Sequence, residues 1–171
     1  MVSYLLIKII SLVITKGCNS QINGVTCSAS SEFNNNVHSY PCENAINGDS
    51  KSSWSTQGEG VGAWIKLNFG EFYRVTSIEI KHRGGGLYPS RELFKEISLQ
   101  FSNGETSTFT LNNIPYTAPG GLVWNNIHFP KHPISDYVTI RATSVYGTIN
   151  NGFSDIRVYG CREGIIIYIC I

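Results

Sequence analysis

The chain predicts an all-β protein, an antiparallel sandwich of about eight short strands in the jelly-roll manner. Three observations carry that prediction. Apolar residues recur at every second position within short segments, the strand period. Clusters of Gly, Pro, Asn and Ser separate those segments at regular spacing, and no long stretch keeps the helical period. Charged residues are only 15% of the chain while aromatics reach 12%, a composition suited to strands and turns.

Taken in order, the elements begin with an apolar run, Leu5 to Ile14, of the length of a secretory leader and too short to span a bilayer. It assigns residues 1–20 to a signal peptide, with cleavage before Gln21 or, using Thr15 and Gly17, before Cys18. The single domain then runs over 21–161 and leaves a short apolar tail, 162–171. Expected strands are 22–29, 63–69, 73–82, 94–102, 106–111, 121–129, 137–143 and 154–160. In the second, Ala63, Ile65, Leu67 and Phe69 face one way and Trp64, Lys66 and Asn68 the other. Val138, Ile140 and Ala142 alternate in the same manner with Thr139 and Arg141. A single helical turn is expected around Glu43 to Ile46. Asn103-Gly104 between two alternating runs predicts a hairpin with a type I′ turn. Gly84 to Pro89 and Tyr116 to Gly121 read as longer loops.

A chain of 171 residues is long enough for one domain with a real core and too short for two of ordinary size. Its net charge of +1, with the basic residues scattered, makes nucleic acid or a strongly anionic membrane an unexpected partner. Five cysteines without a Cys-x-x-Cys pair speak for disulfides rather than zinc or redox chemistry, in agreement with export. No Asn-x-Ser/Thr sequon occurs. Nothing in the spacing of the four histidines, five cysteines or the serines builds a nucleophile, so an enzyme is not expected.

Several motifs stand in sequence: Ser28-Ala-Ser-Ser-Glu32, the loop Asn44 to Trp54, Ala63 to Gly70, Tyr73 to Ile80, Lys95 to Gly104, and Asn151 to Gly160. This ordered set resembles the discoidin family, also called the coagulation factor 5/8 type C domain, of the galactose-binding-like superfamily, over roughly residues 25 to 161. The resemblance implies a calcium ion in the oxygen-rich loop. Its ligands would be the carbonyl of Asn44, the side chain of Asn47, the carbonyl of Asp49, Ser52 or Ser53, the carbonyl of Ser154 and the carboxylate of Asp155. Many relatives carry Asp where this chain has Asn47, which removes one formal charge. Without an ion, Asn47 and Asp49 would make Asx-type bonds to the backbone.

The resemblance also implies ligand contacts in loops at one end of the sandwich: His82, Arg83, Tyr88 and Arg91, with Trp54 or Trp124 as a flat apolar surface. Fucose-binding lectins of the superfamily use a His and two Arg on such loops. Arg83 and Arg91 fall near the matching positions, with Gly85 and Gly86 where that motif carries an acidic residue and adjacent cysteines. The simpler readings are a core or core-rim place for Trp54 and Trp64, and a surface pairing of Arg83 with Glu92 or Glu96. Cys27 is expected to pair with Cys42, because the first strand and the Asn44 loop should be neighbours; Cys161 could take Cys170 or Cys18.

The resulting expectation is a secreted, non-catalytic binding or adhesion module that recognises a cell-surface or extracellular glycan or glycoprotein. The alternative is an anionic-phospholipid or protein-binding module, with Leu87-Tyr88 and Leu122-Val123-Trp124 as apolar spikes; it lacks the adjoining basic cluster that stable membrane association wants. Self-association is left open, since clustering would raise avidity.

Overall fold

The computed structural model describes residues 9–10, 18–49, 51–83, 92–113, 124–147, 149–163 and 169–170. It is an antiparallel β-sandwich whose only helical element, among the described residues, is the 3-10 turn Cys42–Ala45. In chain order the strands are β1 (Ile9–Ile10), β2 (Ser20–Gln21), β3 (Thr26–Ala29), β4 (Phe33–Asn34), β5 (Ser39–Tyr40) and β6 (Trp64–His82). They continue as β7 (Phe94–Phe101), β8 (Thr106–Thr110), β9 (Trp124–His128), β10 (Ile134–Val145), β11 (Phe153–Arg162) and β12 (Ile169–Cys170). β1 and β12 form a separate antiparallel ladder.

The two expected strands 63–69 and 73–82 are one strand, β6, that serves both layers. Its first half pairs with β3 and β10, and the latter continues through β7 to β8. Its second half pairs with β11 and β9, and β11 with β2. The corner between the halves falls at Gly70, whose φ of +79° only glycine adopts readily. Gly24, with φ +71°, performs the same service between β2 and β3 and splits the expected strand 22–29 across the two layers.

The inward residues are those the alternation assigns: Ala63, Ile65, Leu67 and Phe69 from β6, Phe94, Ile97, Leu99 and Phe101 from β7, Val138, Ile140 and Ala142 from β10. Trp54, fully buried, packs on Phe153 at 5.9 Å and Phe94 at 6.1 Å between ring centroids, and its Nε1 donates to the Ser31 carbonyl at 3.0 Å. Each ring of this size contributes roughly 1.5–3 kcal/mol by burial. Trp54 is thus a core residue, whereas Trp64 is half-buried.

The Asn103-Gly104 hairpin differs from expectation in its turn. Only Gly104 has positive φ, +86°; its N–H donates to Phe101 O at 3.0 Å and Phe101 N–H to Glu105 O at 2.9 Å. This is the longer loop in which a left-handed glycine follows an ordinary turn, not the two-residue type I′ form.

Two disulfides close the domain: Cys27–Cys42, as expected, and Cys18–Cys161. The second settles the open pairing of Cys161 in favour of Cys18. Together with the pairing of Ser20 in β2, it makes Cys18 to Ser20 part of the fold, so a cleavage before Cys18 keeps the bridge and one before Gln21 removes it.

Candidate functional site

The strand directions gather one set of connections at one end of the sandwich: the β4–β5 hairpin, the segment after Trp54, Arg83 where β6 ends, Glu92 before β7, and residues 149–152 before β11. These segments are joined by their backbones. Phe33 N–H donates to Ser55 O at 2.7 Å, Ser55 N–H to Tyr40 O at 3.2 Å, Thr56 N–H to Asn151 O at 2.9 Å and Arg83 N–H to Gly152 O at 3.3 Å. The approach at Gly152 is so close that a Cβ there would lie 1.9 Å from the Trp54 carbonyl oxygen.

Arg83 sits where these segments converge. Its Nη1 donates to Ser55 Oγ at 2.6 Å and to Asn150 O at 2.9 Å, and pairs with Glu92 Oε2 at 3.0 Å; the guanidinium lies 4.8 Å from the centroid of the Tyr40 ring. The Arg83 and Glu92 side chains are 18% and 21% exposed, so the pair is half sunk rather than the loose surface contact that sequence alone suggests. Burial pushes the Glu92 carboxyl above its ordinary range, and Arg83 pulls it back down. All of these contacts engage Nη1; among the described residues Nη2 and Nε make no hydrogen bond. A rigid donor edge therefore remains beside an aromatic ring and a carboxylate.

The other expected ligand residues separate. His82 is fully buried and packs on Phe153 with ring centroids 6.2 Å apart, so it is a core residue and not a ligand contact. The physical reason is phase: Ile78 and Ile80 point inward, and His82 continues their face. Neither ring nitrogen has a hydrogen-bond partner of good geometry. Burial lowers its pKa to about 4, against a weaker opposing pull from the Asn112 backbone. Trp124 stands opposite Lys81 in the ladder, near Arg157 rather than Arg83. Tyr88 and Arg91, like Leu87, Leu122 and Val123, lie outside the described residues. Tyr40, Ser55 and Asn150 are the members that sequence reasoning missed. Of these only Asn150 carried a local signal, as an Asn able to take the left-handed backbone it has here, φ +65°.

The oxygen-rich loop does bring its oxygens together. Ser52 Oγ lies 3.2 Å from Asn44 O, 3.1 Å from Asn47 Oδ1 and 3.0 Å from Asp49 O. One hydroxyl carries one proton, so it satisfies one of these acceptors at a time; a surplus of converging oxygens is what a hard cation such as calcium accepts. The member is Ser52, whereas the Ser53 carbonyl accepts from Asn44 Nδ2 at 3.2 Å. The Asx bonds are present too, Asp49 N–H to Asn47 Oδ1 at 2.8 Å and Lys51 N–H to Asp49 Oδ1 at 2.9 Å. The two remaining expected ligand atoms are also acceptors, the Ser154 carbonyl and the Asp155 carboxylate. Ser154 Oγ donates to His82 O at 2.8 Å, and the Asp155 carboxylate pairs with Arg157 at 2.8 Å on the outer face of the sheet. His128 and His132 are exposed and build no metal cluster; the one group of ligating side chains among the described residues is the Cys27–Cys42 disulfide beside Glu43.

Residues 25–157 match the F5/8 type C domain family. No curated protein matches the chain. Among solved structures, the chain is similar to the family 32 CBM of Clostridium perfringens NanJ in complex with galactose: 19% identity, TM-score 0.64, 82% of this chain and 98% of the other. It is similar to CpGH89CBM32-5 from the same organism, in complex with GalNAc-β-1,3-galactose, at 16% identity, TM-score 0.64 and coverage of 82% and 99%. A mutant of the lectin binding domain of lectinolysin complexed with Lewis b follows at 16% identity, TM-score 0.60 and coverage of 84% and 95%.

Proposed function

Because the chain belongs to the F5/8 type C domain family, we propose that it is a secreted, non-catalytic module that binds carbohydrate at the loop end built around Arg83. The observation that carries this reading is the Arg83 cluster, whose guanidinium is locked through Nη1 while its other nitrogens remain available beside Tyr40 and Glu92. Sugar hydroxyls both donate and accept, so a neighbouring donor edge and carboxylate suit a pair of them, and a locked guanidinium loses little freedom on binding. The three solved modules named above were each captured with a saccharide, which agrees with that chemistry. Two disulfides suit an oxidising, extracellular setting. Calcium would be held by Asn44, Asn47, Asp49 and Ser52 and would fix the loop that leads into Trp54.

A glycan array with and without calcium, followed by titration with galactose and lactose, tests the reading. Wild-type protein is expected to bind a neutral glycan, and Arg83→Met to weaken that binding at least about tenfold. Sedimentation with phosphatidylserine vesicles and binding to no glycan would instead favour a lipid-binding module.

A further inference from the structure

The outer face of the β9–β6–β11 layer carries a second cluster that the Arg83 site does not use. Across the ladder, Trp124 stands opposite Lys81 and Lys81 opposite Asp155; one row on, Asn126, Glu79 and Arg157 are aligned. The charges there are unevenly satisfied. Arg157 Nη2 donates to Asp155 Oδ2 at 2.8 Å, and Glu79 accepts from the Tyr159 hydroxyl at 2.8 Å. Lys81 is only 9% exposed, and among the described residues its ammonium makes neither a hydrogen bond nor an ion pair; it lies 5.6 Å from the centroid of the Trp124 ring. Asp155, its ladder neighbour, is turned to Arg157 instead.

An ammonium at the end of a buried stem and without a hydrogen-bond acceptor is a position that an incoming anion completes. The Arg157 guanidinium lies 4.5 Å from the centroid of the same indole, so a second cation flanks the place where that anion would sit. Trp124 is half-buried, which leaves part of a flat apolar surface beside the two cations. We propose that Trp124, Lys81 and Arg157 form a second saccharide site, distinct from the Arg83 loop end, which takes a sugar ring carrying an acidic group, carboxylate or sulfate.

The test uses the whole chain and three probes: a trigalacturonate, a 6-sulfated galactose disaccharide, and lactose as the neutral control. At least one acidic probe is expected to bind and to weaken several-fold as salt rises from about 0.05 to 0.5 M. Lys81→Met, which keeps the aliphatic stem, should lower that affinity about tenfold and leave lactose binding unchanged, and Lys81→Arg should restore much of the acidic affinity. In wild-type protein, the acidic probe should shift the indole N–H resonance of Trp124 and not those of Trp54 and Trp64, a readout that does not depend on any variant folding. Binding of only the carboxylate or only the sulfate probe supports the site and identifies the group. Failure of both acidic probes at millimolar concentration, an unshifted Trp124, or undiminished acidic binding in Lys81→Met would overturn it. Lactose binding reports on the loop end separately, so the two readings fail independently.

Discussion

Arg83 and Arg157 use the same side chain in opposite ways. Arg83 is 18% exposed and ties three other parts of the chain to its own through one nitrogen; Arg157 is 36% exposed and binds the carboxylate of its own strand two residues away. The first is part of the framework and exposes one edge, whereas the second lies on a finished sheet beside an indole ring. A residue's value for recognition depends on how completely its neighbours restrict it. A guanidinium that must hold loops in place is already oriented for a ligand.

The Arg83 cluster is most vulnerable at Gly152. Gly152→Ala drives a Cβ into the Trp54 carbonyl at 1.9 Å, against backbone that cannot easily give, so the loop end around Arg83 should collapse. We expect a loss of about 3 kcal/mol or more in denaturant unfolding, together with loss of neutral-sugar binding. Acidification is the next largest effect. His82 is neutral when folded, with a pKa of about 4 against 6.5 in the unfolded chain, so the unfolded state takes up the proton first as pH falls. Stability is full above pH 6.5 and declines between pH 6.5 and 4, by up to about 3 kcal/mol from this residue. A His82→Phe variant should flatten that part of the pH–stability curve. Smaller effects are expected at the two guanidiniums: Arg83→Met and Arg157→Met should each cost about 2 kcal/mol, the first because it strands the half-sunk Glu92 and the second because it strands Asp155, whose side chain is 3% exposed.

Much of the fold was legible because β alternation is a local signal. Ala63 to Phe69 and Val138 to Ala142 pointed as their spacing dictates, and the helical turn at Cys42–Ala45 stood where expected. What was not legible depended on contacts distant in sequence. Nothing local announces that Gly70 joins two strands into one across the layers, or that Asn103 keeps negative φ beside Gly104. The site divided along the same line. Asn44, Asn47 and Asp49 converge because they share one loop. Arg83 meets Tyr40, Ser55, Glu92 and Asn150 only through the tertiary fold, and the inward phase of Ile78 and Ile80 could have warned that His82 was core.

The bridge between Cys18 and Cys161 spans 143 residues of sequence yet joins the two places where the domain meets the rest of its chain. Both lie at the pole remote from Arg83, since β11 runs from Phe153 beside the loops to Arg162 beside the β6 corner. A pull applied to the flanking segments would therefore travel through the sulfur–sulfur bond and bypass the sandwich. A load between that pole and a ligand held at Arg83, by contrast, runs the length of the strands.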